Sequence, residues 1–319
     1  MDEFEIIRRF FSRKGKNGGV IVGIGDDGAV VAPEPGHHLV VAVDTLIEGV
    51  HYPVDFAAAD VGYRALAVNL SDVAAMGGRP RWMTLALTLV EADESWLSDF
   101  AKGLFEAADE HAVALIGGDT TRGTQTVISV QLMGDVVSGV ALTRGGAKPG
   151  DAVFVTGTPG DAAGGLSLLQ ARGKERHDSD GSYLVQRFSR PSARVAFGAA
   201  ISGIATAAID LSDGLGTDLA KLLVASEVSG VIDLDLLPLS PQTLRFFGRD
   251  EAINLALDGG DDYELCFTAP SADESRIAAI AARQGLTVTR VGYVEDGTGL
   301  ACKRDGKMFP YEDRGYRHF

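Results

Sequence analysis

Six apolar segments of this chain are tipped by aspartate, most of them beside glycine or a hydroxyl residue. Residues 20–24 lead into Gly25-Asp26-Asp27-Gly28, residues 39–43 into Asp44-Thr45, and residues 67–70 into Ser71-Asp72. Residues 113–116 lead into Gly117-Gly118-Asp119-Thr120-Thr121, residues 207–209 into Asp210-Leu211-Ser212-Asp213-Gly214, and residues 255–257 into Asp258-Gly259-Gly260-Asp261-Asp262. Taken singly, an aspartate beside glycine is a turn or helix cap more often than a ligand, because its short carboxylate reaches nearby backbone. Taken together, they fit strand ends that meet at a shared crevice, where α/β sheets bind ligands. Carboxylates gathered there would repel by roughly 4 kcal/mol per pair at about 4 Å and an effective dielectric near 20, which folding tolerates only with cations present. Carboxylate oxygen sites suit Mg²⁺, which keeps waters and borrows phosphate oxygens as ligands. A metal–phosphate site and a set of dispersed caps are the two readings. The composition of 29 Asp against 15 Glu, with 40 Gly in 319 residues, suits tight turns, caps and metal-binding loops alike.

Other chemistries fall away. Gly23-Ile24-Gly25-Asp26-Asp27-Gly28 matches G-x-G-x-x-G, but the dinucleotide fingerprint opens a helix and offers bare amides to pyrophosphate. Here Ala29-Val30-Val31 reads as extended, and two carboxylates repel an anion that arrives without metal. Gly15-Lys16, Gly173-Lys174 and Gly306-Lys307 are followed by Asn17, Glu175 and Met308, which excludes a P-loop. Protein-kinase signatures, a G-x-S-x-G elbow and an H-E-x-x-H pair are also absent. Asp178-Ser179-Asp180-Gly181 falls short of a calcium loop and reads as a solvated turn. A formal charge of −15, relieved only by the small cluster Arg8, Arg9, Arg13, Lys14 and Lys16, argues against nucleic acid as a partner. No apolar stretch nears the roughly 20 residues of a membrane span. The acidic start Met1-Asp2-Glu3-Phe4-Glu5 lacks an apolar signal core, so the expected location is the cytoplasm. Cys266 and Cys302 cannot make a disulfide framework or a zinc site by themselves and are expected to pack in strands as small hydrophobes.

Alternating apolar runs and helical periodicities must carry these turns. Helices are expected over residues 4–14, 60–76, 94–110, 161–170 and 271–284. The second of these is capped by Asp60 and turns Val61, Ala65, Val68 and Val73 inward. Strands are expected over residues 19–24, 39–43, 82–90, 113–116, 127–136, 153–156, 230–234, 264–268 and 287–294, with residues 172–182 as a solvated loop. The turn-rich run over residues 144–151 marks a junction. An N-terminal α+β or α/β domain over residues 1–145 and a C-terminal α/β domain over residues 146–319 are thus expected. Leu-Ser-Asp occurs at residues 70–72 and again at 211–213, a weak hint of related halves.

In this order the motifs resemble the thiamine-monophosphate kinase family, of the superfamily that also holds aminoimidazole ribonucleotide synthetase and selenophosphate synthetase. The carrying residues are Gly23-Ile24-Gly25-Asp26-Asp27, Val43-Asp44-Thr45-Leu46 with His51, Ala67-Val68-Asn69-Leu70-Ser71-Asp72, and Gly117-Gly118-Asp119-Thr120-Thr121-Arg122-Gly123. They continue with Leu142-Thr143-Arg144, Val155-Thr156-Gly157-Thr158-Pro159-Gly160, Asp210-Leu211-Ser212-Asp213-Gly214, Gly259-Gly260-Asp261-Asp262-Tyr263-Glu264-Leu265, and the aromatic tail over residues 315–319. The resemblance implies a two-domain aminoimidazole ribonucleotide synthetase-like fold, a homodimer paired through its N-terminal sheet domains, and an active site completed by the C-terminal domain. It implies ATP-dependent phosphorylation of thiamine monophosphate to thiamine diphosphate with several Mg²⁺ ions. By motif position, Asp27, Asp44, Asp72, Asp119, Asp210, Ser212 and Asp213 would hold metal. Gly118, Asp119, Arg144 and Ser212 would meet ATP, Asp213 and Arg144 would act in catalysis, and His51, Asp261 and Tyr316 would face the thiamine substrate. Two departures stand out: Ala42 and Val43 replace the hydroxyl residues common before Asp44, and Asp261 stands where the family often has Glu.

The chemistry stands without the name. A phosphate acceptor is largely dianionic at neutral pH and needs no general base, which fits the lack of a catalytic His or Ser dyad. Phosphoryl transfer is then positioning plus charge neutralisation, and direct transfer without a phosphoenzyme is expected. Another ATP-using synthetase of the superfamily and a non-catalytic Mg–nucleotide sensor are the alternatives; the lack of a reactive N-terminal Cys disfavours selenide chemistry.

Overall fold

Asp2 opens the first helix by accepting from Glu5 N–H (2.8 Å), and α1 (Glu3–Ile6) continues as a π-helical turn over Ile7–Phe11. The computed structural model describes residues 1–13, 18–172 and 178–315; Lys14, Lys16 and Tyr316 lie outside them. The chain divides into two units, Met1–Val73 with Gly78–Gly139, and Ala74–Gly77 with Val140–Phe319.

In the first unit, β1 (Val20–Val22) and β2 (Val30–Val31) pair antiparallel and hold between them the loop with Asp26 and Asp27. A four-stranded sheet follows, built from β3 (His37–Ile47), β4 (Arg79–Leu89), β5 (Ala114–Arg122) and β6 (Val127–Val137) in the order β3-β6-β4-β5. Only β4 and β5 run parallel. Period-two alternation sets the faces of β3: Val40 and Leu46 are buried, whereas Leu39, Val41 and Val43 are exposed along this edge strand. The unit's long helices are α2 (Ala58–Ala75) and α3 (Glu94–Glu110). Val61, Ala65, Val68 and Val73 are buried along α2, as their helical spacing requires. The helix starts two residues before the expected cap, so Asp60 sits in its first turn, where a carboxylate still complements the helix dipole. For α3 the cap is Asp93, which accepts from Trp96 N–H (2.8 Å).

The second unit strings β7 (Asp151–Thr156), α4 (Asp161–Arg172), α5 (Ser179–Ser189), α6 (Val195–Ile201), β8 (Ala207–Asp210), α7 (Leu215–Ser226) and β9 (Ser229–Asp233) before α8 (Pro241–Asp258). It ends with β10 (Leu265–Pro270), α9 (Glu274–Arg283), β11 (Val288–Glu295), β12 (Gly299–Arg304) and β13 (Lys307–Pro310). Its sheet has the order β13-β12-β9-β11-β7-β10-β8, antiparallel apart from the β12–β9 pair. The central strands are buried on both faces, so alternate residues feed two cores. Val153, Val155 and Cys266 pack with Leu219 and Leu222 of α7, while Phe154 and Phe267 pack with Phe197 of α6 and Ile277 of α9. Cys266 and Cys302 are both buried in strands, as expected.

Several sequence expectations change here. The predicted loop over residues 172–182 contains a helix start: Asp178 accepts from Gly181 N–H (2.9 Å) and opens α5, while Arg245 pairs with Asp178 (2.7 Å) and Asp180. Residues 173–177 lie outside the described residues. Helices α6, α7 and α8 and strands β12 and β13 had no strong periodic signal. In α7, Gly216, Thr217 and Asp218 are poor helix formers, and burial of Leu215, Leu219, Leu222 and Leu223 decides the matter. Residues 67–72 lie inside α2 and residues 255–257 inside α8, so two of the six segments are helical. The Leu-Ser-Asp triplets fall in a helix and in a loop, which removes the hint of related halves. The predicted turn at residues 117–121 is strand, because β5 continues in parallel register with β4.

Candidate functional site

In the first unit, Asp44 projects from β3 and Asp72 from α2, and their side chains share a hydrogen bond. Burial raises the Asp44 carboxyl above its ordinary value, against the Asp72 hydrogen bond and the charge of nearby His51. His51 stands in the turn after β3, where its Nδ1 accepts from Ile47 N–H (3.0 Å). The histidine therefore caps local backbone and also lies beside Asp44.

Strand register places the remaining candidates of this unit. Asp44 faces Val130, Val130 faces Leu85, and Leu85 faces Gly118, so these four form one row across the sheet. Asp119 belongs to the next row, with Ala86, Ser129 and Thr45. Successive residues of a strand point to opposite faces, so Asp119 lies on the face opposite Asp44, about 14 Å away across three strand spacings. Gly118 lies so close to β4 that a Cβ there would sit 1.9 Å from the Leu85 carbonyl oxygen. Gly118→Ala should therefore lower the thermal midpoint by several degrees, for about 1–3 kcal/mol of overpacking. Calorimetry reads this directly, and a midpoint within about 1 °C of wild type would contradict the close approach. Asp27 is exposed in the β1–β2 loop.

In the second unit, two loops lock together. Leu211 N–H donates to the Glu264 carbonyl (2.8 Å), Tyr263 N–H to the Leu211 carbonyl (2.8 Å), and Asp261 N–H to the Ser212 carbonyl (2.9 Å). Asp261 (φ 74°) and Tyr263 (φ 51°) both adopt left-handed backbone, which non-glycine residues hold only where surrounding structure over-determines them. A Cβ on Gly260 would meet the Ser212 carbonyl at 2.3 Å, so the approach of the loops requires glycine there. Asp210 ends β8, opposite Leu265, and is buried; Ser212 and Asp213 are half-buried.

Asp213 precedes α7 and is held from two sides. Its N–H donates to Asp218 Oδ2 (2.9 Å), and Lys221 Nζ bridges its carboxylate to Asp218 Oδ1 (2.8 Å). Burial lowers the readiness of Lys221 to charge, but hydrogen bonds to Asp213 and Asp218 outweigh it and raise the amine above its ordinary value. Arg144 is exposed, and its backbone is anchored: its carbonyl accepts from Ser226 Oγ (2.9 Å), while the neighbouring Thr143 carbonyl accepts from Ala208 N–H of β8 (2.9 Å). The C-terminal segment crosses the start of α7. Tyr311 OH donates to Asp258 (2.8 Å), Thr217 Oγ1 to Asp313 (2.8 Å), and Gly315 N–H to Asp313 (3.1 Å).

Sequence reasoning missed Lys221, Asp218 and the role of Glu264. Glu264 is fully buried and accepts from Thr156 Oγ1 (2.5 Å), Arg187 Nη2 (2.7 Å) and Arg194 Nε (2.6 Å). Burial alone would raise this carboxyl, but Arg194, Arg187 and Thr156 together hold it below its ordinary value. Asp262 accepts from Gly160 N–H (2.6 Å) and Ala162 N–H (3.1 Å), so it orients the loop before α4. The Asp262-Tyr263-Glu264 string was the available signal, yet nothing in it names the two arginines about 70 residues upstream.

Among the described residues, no group of three or more His, Cys, Asp or Glu side chains lies together as a metal site. Magnesium commonly takes one or two carboxylates and completes its shell with water and phosphate oxygens, and Asp44 with Asp72 fits that donor set.

Residues 25–136 match the family model "AIR synthase related protein, N-terminal domain", and residues 148–305 match "AIR synthase related protein, C-terminal domain". The chain is 44% identical to the thiamine-monophosphate kinase of Salmonella typhimurium, covering 99% of this chain and 98% of that protein. The crystal structure of thiamine-monophosphate kinase from Stenotrophomonas maltophilia K279a is similar at 45% identity and a TM-score of 0.86, over 95% of each chain. The AaThiL chain complexed with AMPPCP and TMP is similar at 36% identity and a TM-score of 0.80, over 93% of this chain and 92% of that one.

Proposed function

The chain belongs to the thiamine-monophosphate kinase family of AIR synthase-related proteins, and on that premise we propose that it transfers the γ-phosphoryl group of ATP to thiamine monophosphate, giving thiamine diphosphate and ADP. The observation that carries this reading is the end-to-end likeness at 44% identity, which leaves no segment of consequence outside the match.

In this reading the acceptor is a phosphate oxygen of thiamine monophosphate, largely dianionic at neutral pH. That oxygen bonds to the γ-phosphorus of ATP as the bond to the β–γ bridging oxygen breaks, so no side chain is phosphorylated and no general base is needed. In the first unit Asp44 and Asp72 would hold Mg²⁺ together with phosphate oxygens, with Asp27 and Asp119 as proposed ligands of separate ions; in the second unit Asp210, Ser212 and Asp213 are the proposed ligands, and the metal would supply charge neutralisation for two approaching polyanions. The chain's own groups do the positioning. Gly118 and Asp119 are the proposed nucleotide contacts on β5. Arg144, with its backbone anchored at the β8 edge, brings a fixed positive charge. His51 Nδ1 is committed to Ile47, so its substrate contact runs through Nε2. Lys221 holds the Asp213 carboxylate at the start of α7. In this reading Asp261 is a substrate contact, and Tyr316, outside the described residues, is assigned the same role by its motif alone.

Purified protein with Mg-ATP and thiamine monophosphate should yield ADP and thiamine diphosphate in equal amounts, resolved chromatographically. Nucleotide binding without ADP formation would identify a sensor instead, and recovery of phosphoprotein from labelled ATP would sink the direct mechanism.

We also read the active species as a cytoplasmic homodimer paired through the first unit. The exposed apolar row Leu39, Val41 and Val43 on edge strand β3 supports this, since such edges invite pairing. Val43→Lys, at a residue 63% exposed, should weaken self-association by about tenfold or more, because a charge must be buried in the pair. Sedimentation equilibrium measures it, and an unchanged dimer would place the interface elsewhere.

A further inference from the structure

One side chain at the end of α7 carries a whole loop. Ser226, the last residue of that helix, donates its hydroxyl to the Arg144 carbonyl (2.9 Å) and accepts from Gly146 N–H (3.1 Å) and Ala147 N–H (3.1 Å). A serine hydroxyl offers one donor and two acceptor positions, so all three are spent on the backbone of residues 144–147.

The two segments also fit closely. A Cβ on Gly145 would sit 2.9 Å from the Ala225 carbonyl oxygen, and one on Gly146 (φ 129°) 2.5 Å from the Thr206 carbonyl oxygen. Within the loop, Thr143 Oγ1 donates to the Gly145 carbonyl (2.7 Å), and Ala147 is buried in one core with Leu219, Leu222 and Leu223 of α7. Glu227, in left-handed backbone (φ 57°), ends the helix by donating its N–H to the Leu223 and Val224 carbonyls, which fixes where Ser226 stands. What this framework holds out is Arg144. Its side chain is exposed and forms no hydrogen bond or ion pair among the described residues, so the backbone alone sets where the guanidinium starts from. A long side chain on a loosened backbone has more freedom to lose when a ligand orders it, and binds more weakly for that reason.

We propose that Ser226 is a positioning residue for the nucleotide, acting through Arg144 by fixing the backbone from which that guanidinium meets ATP. This role rests on the assignment of Arg144 to ATP in the proposed function. The helix separates it from the role of Asp213. Twelve residues of α7, at about 1.5 Å each, set roughly 18 Å between the end beside Asp213 and the end at Ser226. Freeing the Arg144 loop therefore leaves the Lys221 bridge to Asp213 in place, and the loss falls on nucleotide affinity more than on turnover at saturation.

The test is calorimetric titration of the full chain, in Mg²⁺, with a non-hydrolysable ATP analogue, which reads nucleotide affinity whatever the acceptor is. Arg144→Gln should weaken binding by about tenfold, the effect of losing one charge-assisted contact. Ser226→Ala should weaken it by about fivefold, since a positioning residue forfeits no more than the residue it holds supplies. Ser226→Thr keeps the hydroxyl and should stay within about twofold of wild type. The double variant should bind about as Arg144→Gln does, because effects that run through one group do not add. Should Ser226→Ala fail to fold by circular dichroism, Ser226→Cys, of similar size but a weak hydrogen-bonding group, should give the same pattern. In turnover, Ser226→Ala should raise KM for ATP and leave KM for thiamine monophosphate at its wild-type value. Wild-type nucleotide affinity in the folded variant overturns the proposal, as does an equal loss with and without Arg144. Nucleotide binding by a wild type that makes no thiamine diphosphate would instead refute the proposed acceptor, with the titration still deciding the role of Ser226. No nucleotide binding by the wild type would overturn both.

Discussion

Asp213→Asn is expected to lower turnover by at least about a hundredfold while the fold survives, the loss seen when one preorganised electrostatic contact to a reacting centre is removed. The substitution keeps shape and deletes charge. Its structural cost is small for identifiable reasons. The Asp213 side chain is 29% exposed, its backbone N–H still donates to Asp218, and Lys221 retains its bridge to Asp218. A partly exposed ion pair contributes roughly 0–1 kcal/mol, so the thermal midpoint should fall by no more than about 3 °C. Asp218→Asn makes the contrast. Asp218 is buried and carries the same lysine together with the Asp213 amide, so it should lose stability first and activity as a consequence. Product formation followed chromatographically and calorimetric midpoints separate the two variants. Wild-type turnover in Asp213→Asn would remove this carboxylate from the reaction.

That contrast also shows what a sequence can carry. Asp213 was legible because Asp-Leu-Ser-Asp-Gly combines a short acid, a hydroxyl and glycine after an apolar run. Lys221 was not, because it stands eight residues after Asp213 and only the turns of α7 bring its amine back over that carboxylate. That helix carries Gly216, Thr217 and Asp218, against helix propensity. Local sequence also misread Gly117-Gly118-Asp119 as a turn. Glycine marks either a bend or a close approach, and only pairing of β5 with β4 shows that Gly118 serves the second need. Helix α3 was read to the residue, since its cap, its apolar spacing and its propensities agree. Convergence of the six acidic segments was inferred from an assumption that all are strand ends. Asp72 is helical, and Asp44 and Asp119 lie within strands. Pairing of Asp44 with Asp72 therefore comes from how α2 packs in its unit, which no single segment encodes.

Glu264→Gln should be the most damaging single substitution to stability, by about 3–5 kcal/mol or on the order of 10 °C in thermal midpoint. The residue is fully buried, with three charged or polar side chains aimed at it. Glutamine fits the space but cannot accept four donors, and its own amide would confront guanidinium N–H groups. Arg187 and Arg194 would then remain in a restricted cavity with no carboxylate between them. The pH dependence gives an independent sign. The folded-state carboxyl lies below its ordinary value, so its contribution is fully present above the usual carboxylate range and is lost as pH falls through the lower folded value. The gap between wild type and Glu264→Gln should accordingly be full at neutral pH and close as acid protonates the wild-type group. Combining Glu264→Gln with Arg194→Gln should recover part of the loss, since the pair then leaves with both its charges. A double variant as unstable as the sum of the two singles would mean that Glu264 acts through its loop contacts and not through these arginines. The loop contacts predict a different signature: Glu264 carries the carbonyl that anchors Leu211, and backbone bonds survive side-chain substitution. Activity per folded molecule should therefore fall far less in Glu264→Gln than in Asp213→Asn, although the first is the less stable protein.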